Sequence, residues 1–262
     1  MSFLTIFVLS LSVILTMMVV VWLWSLKLKD ASIVDAFWGL GFVVICLTYN
    51  ILVPEYSNRA QLVLFLVMVW GLRLSWHIAI RNHGKPEDFR YQKFRKDFGP
   101  HRYWWISLFQ VFLLQGFLLW VVSLPLLASQ YYGANQPLGV VDGIALLLWL
   151  IGFAFEAGGD YQLKKFKANP TNRGKLLQTG FWKYTRHPNY FGDAAVWWAF
   201  GLFGVAAGSF WTFIGSIIMT ILLVKVSGVA LLEKSMKQQK PDYADYVQRT
   251  SAFIPWFPTK KK

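Results

Sequence analysis

Residues 1–30, MSFLTIFVLSLSVILTMMVVVWLWSLKLKD, carry no charged side chain before Lys27. About 20 consecutive apolar residues suffice for a helix to cross a hydrocarbon core, and Trp22, Trp24, Lys27 and Lys29 form the aromatic and cationic border at which such helices end. The run therefore reads as a retained membrane span with an interfacial belt, and not as a cleavable signal peptide.

The rest of the chain follows this pattern. Its 262 residues are 56% hydrophobic and include 14 Trp and 22 Phe, with a mean hydropathy of +0.42, far too apolar for a soluble domain. Apolar stretches at about 3–26, 32–53, 60–81, 106–128, 140–163, 188–207 and 210–231 predict seven spans. They are continuously apolar, without the alternation of a lipid-facing strand, so helices are expected and not a barrel. The predicted fold class is all-α, a polytopic integral membrane protein of one domain, 1–262. Its helices 1–128 form an N-terminal half and residues 140–262 a C-terminal half.

The net charge of +13 raises nucleic acid as a partner, and the positions of the basic residues argue against it. With connections assigned alternately, one face receives Lys27 and Lys29, seven basic residues in the loop from Arg81 to Arg102, seven from Lys164 to Arg186 and seven from Lys234 to Lys262. That is 23 of the 26. This is the positive-inside pattern, so the large loops and C-terminus are expected in the cytoplasm and the N-terminus outside. In the absence of a targeting signal, a bacterial inner membrane is the expected location. The single Cys46 allows no internal disulfide and no multi-thiolate metal site. His77, His83, His101 and His187 lack the paired spacing of a zinc site on one helix face. The residues LLEKSMKQQKPDYADYVQRTSAFIPWFP predict a short amphipathic helix around Pro241 to Arg249 on the membrane surface.

An ionisable residue inside a span costs about 2.5–3.5 kcal/mol on insertion scales and demands a partner or a task. Asp35, Arg73, Glu156, Asp193 and Lys225 are such residues, and interhelical pairs Asp35 with Arg73 or Glu156 with Lys225 would satisfy them. Asp193 closes the stretch Thr179–Asp193, TGFWKYTRHPNYFGD, which sets cationic, imidazole, amide and carboxylate groups at a helix mouth. On a helix Asn189 and Asp193 are i and i+4 and share one face. Such a face suits an adenine dinucleotide, its amide and carboxylate oxygens accepting from hydroxyl or amide groups while Arg186 and Lys183 neutralise phosphate. Asp160, Lys164 and Lys167, at i, i+4 and i+7, predict a second polar stripe at the end of the fifth helix. The alternative for that stripe is an ordinary salt bridge and cytoplasmic anchor. No Gly-x-Gly-x-x-Gly follows a strand, so a Rossmann module is not expected.

Three blocks, GDYQLKKFK, TGFWKYTRHPNYFGD and DYADYVQRTSAFIPWFP, carry a resemblance. From about Gly158 to Pro258 the chain resembles the steroid 5α-reductase and sterol reductase superfamily, and over its whole length the bacterial DUF1295 branch of it. The resemblance implies a membrane enzyme that holds NADPH among its C-terminal helices and reduces a carbon–carbon double bond in a lipid, as in 3-oxo-5α-steroid 4-dehydrogenases. Carried over to this sequence, it implies that Asp160, Tyr161, Lys164, Lys167, Arg186, His187, Asn189, Tyr190 and Asp193 engage the cofactor. At the substrate carbonyl the family uses a Glu in the second helix and a Tyr in the third. Asp35 is the acidic candidate here. The Tyr has no clear counterpart, which leaves Arg73 or Tyr91 of the loop. Gln115, alone in an apolar helix, is read as an interhelical amide or a carbonyl ligand.

Two other functions remain open at this stage. Isoprenylcysteine-type membrane methyltransferases also carry an Arg-His-Pro-x-Tyr block and a basic tail with a Glu, and would take S-adenosylmethionine. A non-catalytic lipid-binding protein would keep the motif as architecture. Under every reading the expected partners are a lipophilic small molecule and membrane lipids.

Overall fold

The computed structural model describes residues 1–133, 136–226, 229, 233 and 243–259. The described residues are helical, without strands: α1 Phe3–Leu28, α2 Val34–Leu52, α3 Asn58–Asn82, α4 Phe89–Phe98, α5 Pro100–Ser107, α6 Leu114–Val122, α7 Leu124–Tyr131, α8 Val140–Ala168, α9 Pro188–Ala206, α10 Phe213–Ile221 and α11 Tyr243–Arg249. A π-helical turn, Leu108–Leu113, joins α5 to α6. The chain divides into two compact units, one of Met1–Leu138 with Phe203–Thr212, the other of Gly139–Leu202 with Phe213–Lys262.

In the first unit α1 starts where the Ser2 side chain accepts from the Thr5 amide. It stops at Lys29, whose left-handed backbone (φ 55°) turns its N–H back to the carbonyls of Ser25 and Leu26. Its buried residues, Ile6, Ser10, Ile14, Met18, Val21 and Ser25, recur every three or four positions and so form one stripe. The rest of its surface stays apolar and exposed, as a lipid-facing helix requires: only 28% of its most apolar window is buried, and the same holds for α8.

Among the described residues, five helical segments are long and apolar enough to cross a membrane: Phe3–Leu28, Ala31–Leu52, Asn58–Asn82, Pro100–Tyr131 and Val140–Ala168. The protein is an all-α, polytopic membrane protein. Of the seven expected spans, the sixth is α9, which falls short in apolarity because Pro188, Asn189 and Asp193 open it. The seventh begins as the shorter apolar run Phe210–Val226, and residues 227, 228, 230 and 231 lie outside the described residues, as do Pro241 and Asp242 of the expected tail helix.

Helices in lipid gain little from the hydrophobic effect on associating and rely on close backbone approach at small residues. Helices α2 and α3 meet at Gly39 and Gly71. A Cβ on Gly71 would stand 2.6 Å from the Gly39 carbonyl oxygen. In the second unit α8 meets α9 at Gly152 and Gly192, and a Cβ on Gly152 would stand 2.7 Å from the Gly192 carbonyl oxygen. Both contacts are backbone, which cannot swing aside. Gly71→Ala and Gly152→Ala are therefore expected to lower stability by about 1–3 kcal/mol. Gly143→Ala, in α8 with nothing within 4 Å of the new methyl, is expected to be neutral or to stabilise by up to about 1 kcal/mol. Thermal unfolding of the three variants in one detergent measures the difference.

Candidate functional site

Among the described residues, each unit gathers several of the residues singled out in the sequence into a buried polar cluster. In the first, the loop after α3 ends at Asp88, which caps α4 by accepting from the Arg90 amide at 3.0 Å and from Arg90 Nε at 2.8 Å. The cap fixes the first turn of α4, where Arg90 and Tyr91 are neighbours, and both reach the carboxylate of Asp35 in the first turn of α2. Arg90 Nη2 donates to Asp35 Oδ2 at 2.6 Å and the Tyr91 hydroxyl to Asp35 Oδ1 at 2.6 Å. Gln115 Nε2 of α6 donates to the Tyr91 hydroxyl at 3.3 Å. A carboxylate in a first helical turn also gains from the helix dipole. Burial, and then the Asp35 carboxylate, push the Tyr91 phenol well above its ordinary value, so it stays a neutral donor through neutral pH. Asp88 is held below the ordinary carboxylate range: burial opposes this, and the hydrogen bonds and charge of Arg90 outweigh it.

Arg90, which the expected pairing with Arg73 did not include, is thus a cation at Asp35. Arg73 is half-buried in α3. Of the two alternatives for the second substrate-side group, the structure brings Tyr91 to Asp35. Gln115 belongs to the same cluster.

In the second unit Asn189 Nδ2 donates to Asp160 Oδ1 at 3.2 Å, joining α8 to the first turn of α9. Asp160 and Asp193 are both buried, and Asp193 lies one turn beyond Asn189. Arg186 is buried just before α9 and its guanidinium is fully committed. Its Nε and Nη2 donate to Glu233 Oε1 at 2.9 and 2.5 Å, and its Nη1 to the carbonyls of Val247 and Thr250 at 3.2 and 2.5 Å. His187 Nε2 stands 3.4 Å from Glu233 Oε1 without the alignment of a hydrogen bond, and its ring lies 5.9 Å from that of Tyr190. Burial lowers His187 to about 4, against the pull of Glu233, so the imidazole is neutral at physiological pH.

The residues of the expected stripe, Asp160, Lys164 and Lys167, differ in exposure. Asp160 turns inward to Asn189, while Tyr161, Lys164 and Lys167 are exposed. Arg186 likewise holds the tail, not an exposed anion site. Glu233, Tyr243 and Tyr246 are site residues that sequence reading missed. The available signal was a lone Glu beyond the last apolar run, followed by two Tyr three residues apart. The Tyr246 hydroxyl donates to the Trp182 carbonyl. Among the described residues the Tyr243 hydroxyl, which feels Glu233 and Arg186, makes no aligned hydrogen bond, nor do His187 Nε2 and Asn189 Oδ1.

The sequence profile of the family described as Protein of unknown function (DUF1295) matches residues 21–250, and the chain belongs to this family. An uncharacterised protein of Schizosaccharomyces pombe is 26% identical over 267 aligned positions, covering 90% of this chain and 76% of that protein. The Delta(14)-sterol reductase erg24 of the same yeast is 36% identical over 102 positions, 33% of this chain and 24% of the reductase. The similarity to that enzyme is therefore partial. No solved structure matches.

Removing Glu233 strands a buried guanidinium, so Glu233→Ala is expected to cost about 3–5 kcal/mol in thermal unfolding. The pH dependence follows from His187. With a folded value of about 4 against an ordinary 6.5, the unfolded chain takes up its proton first as pH falls. His187 thus lowers stability progressively from about pH 6.5 to 4, by up to roughly 1.4 kcal/mol per pH unit. His187→Gln should flatten that limb relative to the parent protein in melts at pH 7, 6, 5 and 4.5.

Proposed function

We propose that the protein is a membrane-embedded, NADPH-dependent reductase of a carbon–carbon double bond in a lipophilic enone, a 3-oxo-5α-steroid 4-dehydrogenase-like reaction on a steroid or other lipid. The observation that carries this reading is the Asp35, Arg90, Tyr91 and Gln115 cluster, an acid and a phenol 2.6 Å apart at the end of an apolar helix. The partial similarity to a sterol reductase supports it.

Reduction of an enone places negative charge on the carbonyl oxygen as the β-carbon gains hydride, and a preorganised donor at that oxygen lowers the barrier. We assign the donor to Tyr91, whose phenol keeps its proton and would turn it from Asp35 Oδ1 to the substrate oxygen on binding. Asp35 is a positioning residue that orients the Tyr91 hydroxyl, Arg90 fixes Asp35, and Gln115 holds the phenol from α6. The α-carbon then takes a proton, and the net change is the addition of one hydride and one proton across the double bond. A bound NADPH would supply that hydride.

The second unit fits such a group. Among the described residues buried Asn189 Oδ1 has no hydrogen-bond partner, and His187 Nε2 and Tyr243 Oη make no aligned one; a ligand offering amide and hydroxyl groups would satisfy them. Asp160, Asn189, Tyr190 and Asp193 would hold its neutral parts. Because Arg186 is spent on Glu233, neutralising phosphate falls to the exposed Lys164, Lys167 and Lys183. On the charge distribution we place these loops in the cytoplasm, the N-terminus outside, and the whole in a bacterial inner membrane.

Titration of the detergent-solubilised protein with NADPH, NADH and S-adenosylmethionine tests the cofactor. NADPH at a hundredfold excess over its dissociation constant is expected to stabilise by about 2.7 kcal/mol, and Asp193→Ala to remove the shift. Stabilisation by S-adenosylmethionine alone would point to the methyltransferase instead. With an enone lipid, Tyr91→Phe is expected to slow NADPH oxidation by about 10²–10³-fold while leaving NADPH affinity unchanged. Normal turnover by this variant would refute the assignment.

A further inference from the structure

The expected membrane-surface element is the tail helix, yet α11 faces the protein. Tyr243, Tyr246 and Thr250 are buried, Tyr246 bonds to the Trp182 carbonyl, and Arg186 grips the helix end through the carbonyls of Val247 and Thr250. The segment that follows does the opposite. Residues 252–258, AFIPWFP, form an irregular strap whose backbone is pinned and whose large side chains are not covered. Ile254, Trp256 and Phe257 are 66%, 71% and 74% exposed.

The pinning is specific. The Arg186 amide donates to the Ser251 carbonyl at 2.9 Å, the Thr185 hydroxyl to the Phe253 carbonyl at 2.8 Å, and the Trp256 amide to the Tyr184 carbonyl at 2.9 Å. The strap is therefore tied along the three residues 184–186, just before α9 begins at Pro188. That same loop is hooked onto α8: the Phe181 amide donates to Gln162 Oε1 and Trp182 Nε1 to the Gly159 carbonyl.

Helix α8 supplies a ruler. From Val140, its exposed apolar start, to Gly159 is 19 residues, or about 29 Å at 1.5 Å per residue, close to the roughly 30 Å of a hydrocarbon core. Gly159 and the loop attached to it thus lie where hydrocarbon gives way to headgroups. Trp and Phe are the side chains that settle at this depth. The charge around them suits an anionic leaflet: Lys183 is exposed in the same loop, and Lys260, Lys261 and Lys262 follow the strap in sequence.

We propose that residues 252–258 are an interfacial anchor, with Ile254, Trp256 and Phe257 seated in the headgroup region of the membrane on the side of the α8 C-terminus. Lipid, and no second protein, covers them. The anchor and the Arg186 clamp are one continuous device, because Ser251 is bound by the Arg186 amide while Thr250 is bound by its guanidinium.

The full-length protein, with buried Cys46 replaced by Ser, is given single cysteines by Trp256→Cys, Phe257→Cys or, at an exposed position of α11, Gln248→Cys. Each is labelled with an environment-sensitive NBD fluorophore and reconstituted into phosphatidylcholine and phosphatidylglycerol vesicles, with and without lipids carrying a nitroxide near the headgroup. Labels at 256 and 257 are expected to emit to the blue of that at 248 and to be quenched by the nitroxide lipid at least about twofold more strongly. Ile254→Cys repeats the measurement if either variant fails to fold. Quenching no stronger than at 248 overturns the proposal and leaves the strap in water. Blue-shifted emission without lipid quenching also overturns it, in favour of a protein partner or a second copy.

Discussion

Two helix pairs, α2 with α3 and α8 with α9, touch backbone against backbone at Gly39 and Gly71 and at Gly152 and Gly192. The side chains nearby inherit their positions from these contacts. In the second unit the contact extends along the pair: Gly192 lies against Glu156, and Gly159 against Pro188 and Asn189. Asp160 and Asn189 are the next residues along, and their 3.2 Å hydrogen bond is possible because no Cβ holds the helices apart at Gly159. In the first unit the α2 and α3 contact includes Ser75, whose hydroxyl accepts from the Leu40 amide at 2.7 Å. It fixes α2 one turn beyond Asp35. In an apolar solvent the small residue is what allows a polar pair to be placed at all.

Both clusters then use the same device. An arginine reaches a carboxylate in each, Arg90 to Asp35 and Arg186 to Glu233. A buried ion pair is weak evidence of stability, because desolvation offsets much of the attraction. Its value here is geometric. Arg90 and Arg186 each precede another member of their cluster, Tyr91 and His187, so closing the ion pair orients the neighbour. The clamp also explains why His187 stays neutral: burial outweighs the single carboxylate at 3.4 Å.

Hydropathy and charge made the helices and the all-α class legible, because crossing hydrocarbon dictates composition directly, and they singled out Asp35 and Asn189, which the structure places in hydrogen-bonded polar clusters. The partners were not legible. Arg73 was the natural choice for Asp35, being a cation in the next helix. Arg90, which the structure pairs with Asp35, lies 55 positions away in the first turn of α4, and nothing local in the sequence encodes how that helix folds back under the Asp88 cap. The stripe of Asp160, Lys164 and Lys167 divides by exposure for a different reason. Helical spacing fixes the angle between side chains but not which flank the neighbouring helix covers, and α9 covers the Asp160 side. Glu233 escaped because it lies beyond the last apolar run, where neither hydropathy nor periodicity constrains the chain.

The cations divide by chemistry in a way that bears on any anionic ligand. Every lysine among the described residues is exposed, whereas of the arginines Arg59 and Arg186 are buried, Arg73, Arg90, Arg95 and Arg249 half-buried, and only Arg81, Arg102 and Arg173 exposed. A delocalised, weakly hydrated guanidinium with a rigid fork tolerates burial and can satisfy a carboxylate and backbone carbonyls together, as Arg186 does. A compact ammonium keeps its water. Arginine therefore holds this protein together, and lysine meets what comes from solution. Exposed ammonium groups act as screened point charges over a Debye length of about 8 Å at physiological salt. Recognition of a phosphate by Lys164, Lys167 and Lys183 would consequently set attraction and approach, leaving the choice among nucleotides to the buried amide, imidazole and phenol groups that cannot be screened.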